Sequence, residues 1–320
     1  MAFIWRHFKL TTALLFVVGS LFGQFTGNGV IGVIASSIQV GGSTFTGLLD
    51  TVPDAGFFYS LRRVNSAYTG DLLTVRRASD DAEQSIGYVA DTLDRASIES
   101  FCSGTTCYVP LWNDQSGNGR DALGWNESTT NDNLPIIVNA GTTVTLNGRI
   151  AIYCPHPRAF FWTDASTDIS DLITAVGGGG GTKAGTAHVV GYVGSTPTDP
   201  YLFALNDPGG DEYWWLYSDG NARIEFNSTA ASMGADITRD AQTIWCGRVT
   251  GTTFEVFENG SSIGSSTNGS SQTSTTTEVE FKFGGGSFSS RTIDGYYQEI
   301  GSWKTSENVT TLYNSANAYW

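Results

Sequence analysis

At 320 residues and a net charge of −14, the chain has room for one large β domain or two small ones, and as a whole it repels nucleic acid. Hydrophobic residues make up 40%, with 9 Trp, 13 Tyr and 18 Phe, so a substantial core is available; charged residues are only 15% and Gly numbers 39. No sustained heptad or long 3.6-residue apolar period runs through it, which excludes a helical bundle and favours short strands joined by turns.

The first 49 residues carry Arg6 and Lys9 and no acid; Asp50 is the first acid and Pro53 the first proline. A boundary is placed near residue 50, separating a hydrophobic N-terminal arm (1–50) from a domain over 51–320. Within the arm, the apolar run Leu10–Gly23 is shorter than the roughly 20 residues of a membrane-spanning helix. As a secretory signal peptide it has a poor cleavage region, since cutting after Gly23 puts Leu21 at −3, although cutting after Gly19 fits better. The preferred expectation is an arm that stays attached and docks on partner subunits; a signal peptide and a membrane anchor are the alternatives.

Beyond the boundary, SLRRVNSAY (60–68) is the foremost helical expectation and LDRASIESFC (93–102) the second. Strands are expected in LLTVRRAS (72–79), PIIVNAG (135–141), TVTLNGRIAIYC (143–154), HVVGYVG (188–194), EYWWLYSDG (212–220), ARIEFNS (222–228), TIWCGRV (243–249), TFEVFENGSSIGS (253–265) and VEFKFGG (279–285). Asn-Gly at 147–148 and 259–260 and Asp-Gly at 219–220 fall where hairpins turn, because these residues tolerate positive φ. Gly177–Gly181 and Ser261–Thr277 read as exposed low-complexity loops. The sum is an all-β sandwich from about residue 55 to the C-terminus.

Cys102 and Cys107, in FCSGTTCYV, are close enough to bridge a tight loop as a structural disulfide. Cys154 and Cys246 lie in expected core strands and either pair across the sheets or remain buried thiols. His7, His156 and His188 are scattered and read as structural, so no metal site and no cofactor is expected.

Residues 59–124 resemble the start of the catalytic domain of the α-L-arabinofuranosidase B family. The resemblance rests on the R-x-x-SAYTG-x-L-x-x-x-R-x-SD stretch, the FC-x4-C element and WNDQSGNGRD (112–121). Similar segments occur in bacteriophage tail and virion proteins. A second, looser resemblance covers 243–303, where TIWCGRVTGTTFEVFENGSSIGS followed by GYYQEIGSWKTS looks like late strands of laminin-G or concanavalin-like jelly rolls. The implied fold is therefore a concanavalin/laminin-G-like jelly-roll sandwich with a hydrophobic arm.

A retaining glycosidase needs two carboxyl groups about 5–5.5 Å apart. The resemblance places the nucleophilic Glu at Gly220 and the acid/base Asp at Ser287, so both family carboxylates appear replaced and the expectation leans away from an enzyme. Asp219 and Asp294 are the weak catalytic candidates if the chain is active, with Glu225 a further shifted replacement. WNDQSGNGRD is read as a self-bonded loop that clamps the sandwich. Trp214 and Trp215 are adjacent in a strand and point to opposite faces, so one can stack on a sugar beside Asp219 and Asn221. The preferred function is a non-catalytic virion structural protein, a capsid decoration, tail or fibre component at the virion surface. Its expected partners are other virion proteins through residues 1–50, further copies of itself in a homo-oligomer, and a cell-surface glycan, with no nucleic acid. A secreted arabinofuranosidase-like glycoside hydrolase is the alternative.

Overall fold

The structure is a computed structural model that describes residues 45–124, 134–155, 161–163, 184–196, 200–206, 212–218, 220–226, 229–267, 280–283 and 293–320. Residues from Thr44 onward form one compact unit. Residues 1–44 of the arm, the Gly177–Gly181 run and Ser287 lie outside the described residues.

In chain order the first elements are helix α1 (Leu48–Thr51) and strands β1 (Ala55–Ser60), β2 (Leu73–Arg77), β3 (Glu83–Ile86), β4 (Tyr88–Val89) and β5 (Thr92–Leu93). Helix α2 (Arg95–Phe101) leads to β6 (Cys107–Trp112), β7 (Ala122–Gly124), β8 (Ile136–Asn139), β9 (Thr142–Thr143), β10 (Thr145–Leu146), β11 (Arg149–Ile150), β12 (Ile152–Cys154) and β13 (Phe161–Trp162). The second half holds β14 (Ala184–Tyr192), β15 (Tyr201–Asn206), β16 (Glu212–Ser218), β17 (Ala222–Phe226), β18 (Thr229–Ser232), β19 (Gln242–Thr250), β20 (Thr253–Glu258), β21 (Ser261–Thr267), β22 (Glu280–Phe283) and β23 (Gly295–Trp303), then helix α3 (Val309–Asn317).

These strands fold as an antiparallel β sandwich. In one layer β21, β20, β19, β14 and β23 lie side by side, and β23 then pairs with β1 along its second half and with β12 along its first. In the other, β18, β17, β16, β15, β22, β13, β7 and β6 follow one another. Period-two alternation sends Tyr59, Val189, Trp245 and Ile300 from the first layer and Trp112, Phe161, Phe203 and Phe283 from the second into one core. Rings interlock across it, with Phe161 and Phe283 stacked at 4.9 Å and Trp112 tilted against Phe161 at 5.5 Å.

The outer face of the first layer is partly roofed. Leu48 and Leu49 of α1 and Val309 and Leu312 of α3 pack on Phe58, Cys246 and Trp303, while Ala316 covers Val190 and Ile244. Gly301 makes room for this packing, since a Cβ there would sit 2.2 Å from the Phe58 ring. The sequence shows no periodicity long enough to announce α3; its Asn308 cap, whose side chain accepts the Thr311 N–H at 3.2 Å, is a signal that could have.

Three local expectations can be settled. The segment 60–68 is not helical, because other groups take its backbone donors: Val64 N–H bonds Gln115 Oε1 at 3.0 Å and Ser66 N–H bonds Asp50. The helix expected over 93–102 forms as α2, capped by Asp94, which accepts the Ser97 N–H at 3.1 Å. The loop expected over Ser261–Thr277 begins instead as strand β21, paired with β20 after the Asn259–Gly260 turn, both residues of which have positive φ.

Candidate functional site

The segment 112–121 is a knot that the chain ties in itself. Asp114 is buried; its Oδ1 accepts the N–H groups of Phe58 (2.8 Å) and Ser116 (2.9 Å), and its Oδ2 accepts the Ser116 hydroxyl (2.7 Å) and the Arg120 N–H (3.1 Å). Gln115 Nε2 donates to the carbonyls of Ser60 at 3.1 Å and Arg62 at 2.9 Å, and Asn118 donates to those of Ala55 at 2.9 Å and Gly56 at 3.0 Å. Burial raises the Asp114 pKa above the ordinary carboxylate value, against hydrogen bonds from Ser116, Phe58 and Arg120 that favour its charge. These polar groups hold β1 in place and are engaged by the protein's own backbone.

Glu299, on β23, is the most enclosed acid described, with no exposure. Its Oε2 accepts Arg62 Nε at 2.8 Å, Ser60 Oγ at 2.9 Å and Trp320 Nε1 at 3.3 Å; Oε1 accepts Arg62 Nη2 at 3.2 Å and lies 3.1 Å from His188 Nε2. Burial opposes its charge, but the Arg62 guanidinium and the His188 and Arg62 hydrogen bonds prevail and hold the carboxyl well below its usual range. Cys246 Sγ sits 3.5 Å from His188 Nδ1, completing a row of thiol, imidazole and carboxylate. Burial pushes that thiol up to about 12, so it stays protonated and unreactive, and the row acts as a lock between β14, β23 and the C-terminus.

The residues proposed from sequence for chemistry and sugar contact lie elsewhere. Trp214 and Trp215 occupy successive positions of β16, paired with Leu205 and Ala204 of β15, and Glu225 lies in β17; the side chains of all three, and the whole of Asp219, lie outside what is described. Gly220, at the Glu position of the resemblance, is exposed at φ +94° in the turn before β17, a conformation that glycine adopts without cost. Asn221 beside it is half-buried. Beneath the turn, buried Ser218 bonds Asp236 and receives Arg239 Nη2 at 3.3 Å. Asp294 is in another place, on the outer face of the first layer before β23, where its Oδ1 accepts the Tyr153 hydroxyl at 2.9 Å. Cys102 and Cys107 form the expected disulfide, whereas Cys154 and Cys246 are separate buried thiols. Among the described residues, no cluster of His, Cys, Asp and Glu is arranged to hold a metal ion.

Residues 51–170 match the family "Alpha-L-arabinofuranosidase B, catalytic". A probable α-L-arabinofuranosidase B of Aspergillus flavus is 40% identical over 99 residues, covering 28% of this chain and 19% of that protein. The arabinofuranosidase/B-xylosidase of Trichoderma koningii is 40% identical over 98 residues, with 28% and 19% covered. The chain thus spans about a fifth of the length of the curated relatives it matches. Among solved structures, an arabinofuranosidase complexed with arabinofuranosyl-α-1,2-xylobiose superposes with a TM-score of 0.64 at 17% identity, over 84% of this chain and 63% of that one. A GH54 α-L-arabinofuranosidase soaked with a cyclic sulfate inhibitor gives 0.61 at 16%, with the same coverage. These likenesses bear out the β sandwich.

They also correct the preferred functional expectation. The proteins this chain matches are named as arabinofuranosidases, so the reading as a non-catalytic virion structural protein is overturned, together with its virion partners and homo-oligomer; the virion-surface location has no support. The physical reason is that the segment 112–121, on which the resemblance leaned, is a clamp bonded to the protein's own backbone, which specifies a scaffold and carries no information about a particle.

Proposed function

We propose that the chain is an arabinofuranosidase-like glycoside hydrolase domain that acts outside the cell on α-L-arabinofuranosyl side groups of polysaccharides. The single observation that carries this is the match of residues 51–170 to the arabinofuranosidase B catalytic family, centred on the knot that fixes β1. The Cys102–Cys107 disulfide supports an oxidising, extracytoplasmic location.

Cleavage of a furanoside requires one carboxyl group to protonate the leaving oxygen and a second to stabilise or attack the anomeric carbon. The chain has Gly220 and Ser287 at the two positions that the resemblance assigns to these roles, and Asp219 is the acid adjacent to the first. We assign Asp219 the carboxylate role at the β16–β17 turn. Asp294 is the weaker candidate, because its carboxylate is bonded to Tyr153 on the outer face. Incubation with 4-nitrophenyl α-L-arabinofuranoside should release 4-nitrophenol, and Asp219→Asn should slow release by about 10²–10⁴-fold. Absence of release at high protein concentration overturns the hydrolase reading, and release unaffected by Asp219→Asn removes the assignment of Asp219.

The replaced carboxylate positions favour a second reading, a protein that binds arabinofuranosyl groups without turning them over. In that case Trp214, Trp215, Asp219 and Asn221 form the sugar contact. Trp214→Ala or Trp215→Ala would then abolish glycan binding while no sugar is released.

A further inference from the structure

Among the described residues, the roof that α1 and α3 place over the first layer stops short, and the rows beyond it carry half-buried tyrosines. On β14, His188 and Val190 lie under the roof, and Tyr192, next in that alternation, lies beyond it. On β23, Tyr297 enters the core and donates to the Leu202 carbonyl at 2.9 Å, so its neighbour Tyr296 faces outward. On β12, Ile152 and Cys154 are core residues and Tyr153 between them faces the same way as Tyr296, directly opposite it in the ladder. Across these adjacent strands Tyr153 lies 5.1 Å from Tyr296, and Tyr296 lies 5.5 Å from Tyr192, all of them half-buried.

The ends of this row are pinned by acids. Tyr153 donates its hydroxyl to Asp294 at 2.9 Å and Tyr192 donates to Asp240 at 3.0 Å. Both acids stand at turn residues with left-handed backbone, φ +42° for Asp294 and +58° for Asp240. Gly194 lets the chain approach Asp294, since a Cβ there would come 2.5 Å from the Asp294 carbonyl oxygen. Side-chain amides of Asn147, Gln242 and Gln298 form a chain of hydrogen bonds along one margin. An open depression lies on the other side, between the Thr142–Thr145 turn and the rings of Tyr153 and Tyr296.

We propose that this surface is a second carbohydrate-binding site, separate from the hydrolytic one, and that its occupant is a neutral polysaccharide backbone. Aromatic faces take the C–H side of a sugar ring, while carboxylates and amides at the edges accept and donate to hydroxyls. Among the described residues, Asp294 and Asp240 are the acids bonded to the row, and the chain as a whole carries a net charge of −14, so a chain of uronates or phosphates is disfavoured and a hydroxyl-rich neutral chain is matched. Each burial of an aromatic face is worth a modest free energy, which suits a site that keeps the protein on a polymer without holding it still.

The proposal does not depend on catalysis, and it is tested by native affinity electrophoresis of the whole chain in gels containing neutral arabinoxylan, with free L-arabinose added to occupy a monosaccharide site. Retention of the wild-type protein is expected, with about a 10-fold or greater weakening in Tyr296→Ala and in Tyr192→Ala and little loss in Tyr296→Trp, the melting temperature of each being recorded. If Tyr296→Ala fails to fold, the Tyr192→Ala and Tyr296→Trp pair decides. Retention that is absent in the wild type, unchanged in Tyr192→Ala, or seen only with polygalacturonate overturns the proposal. Because it reads binding, its failure is distinct from failure to release 4-nitrophenol.

Discussion

The knot at 112–121 and the β16–β17 turn are both polar loop regions beside the same core, yet they are built in opposite ways. In the knot, Asp114, Gln115 and Asn118 each bond backbone of the β1 region, within the stretch 51–170 that matches the arabinofuranosidase B catalytic family. At the turn, Gly220 is exposed and Asn221 half-buried, and the Gly220 N–H donates to Ser218 Oγ at 3.3 Å. The knot's polar side chains are spent on the protein's own backbone and keep the sandwich shut, so chemistry has to be sought at other side chains.

The contrast can be broken or sharpened by substitution, beginning with the scaffold. Glu299→Ala leaves Arg62 buried without its carboxylate, and should cost about 3–5 kcal/mol, read as a fall in the urea midpoint. The Glu299 pKa is lowered in the folded state from an unfolded value of about 4.3, so its contribution is present above that value and is lost as pH falls through and below it. Stability measured between pH 7 and pH 3 should therefore decline on the acid side, and the decline should be shallower in Glu299→Gln. Asp114→Ala strands the Phe58, Ser116 and Arg120 donors and should cost about 3 kcal/mol by the same urea measurement. Replacing Cys102 and Cys107 by Ser opens a short loop and should cost about 2 kcal/mol, seen as a lower melting temperature that added reductant no longer changes. At the other pole, Asp219→Asn should move stability by no more than about 0.5 kcal/mol while sharply reducing sugar release. If it instead destabilises like Asp114→Ala, the two regions are alike and the contrast fails.

How much could be read in advance follows the range of the forces involved. Alternation over 72–79, 243–249 and 253–265, and the Asn-Gly turns, are local signals, and they give β2, β19, β20 and the hairpin before β21. The disulfide was legible because its cysteines share one loop. Unread were the extended strap at 60–68, whose helical look yields to Gln115 and Asp50, and the tyrosine row, whose members stand far apart in sequence at 153, 192 and 296.

Residue type, near spacing and a contiguous motif carried the all-β class, the Asn-Gly turns, the net negative charge and the resemblance of residues 59–124 to arabinofuranosidases. Only the tertiary structure decided that Glu299, Arg62 and His188 form a buried lock, that Asp294 serves Tyr153 on the outer face, and that part of one sheet face stays open. Those outcomes depend on which strands become neighbours, and pairing across more than a hundred residues is set by packing of the whole core rather than by any short stretch of chain.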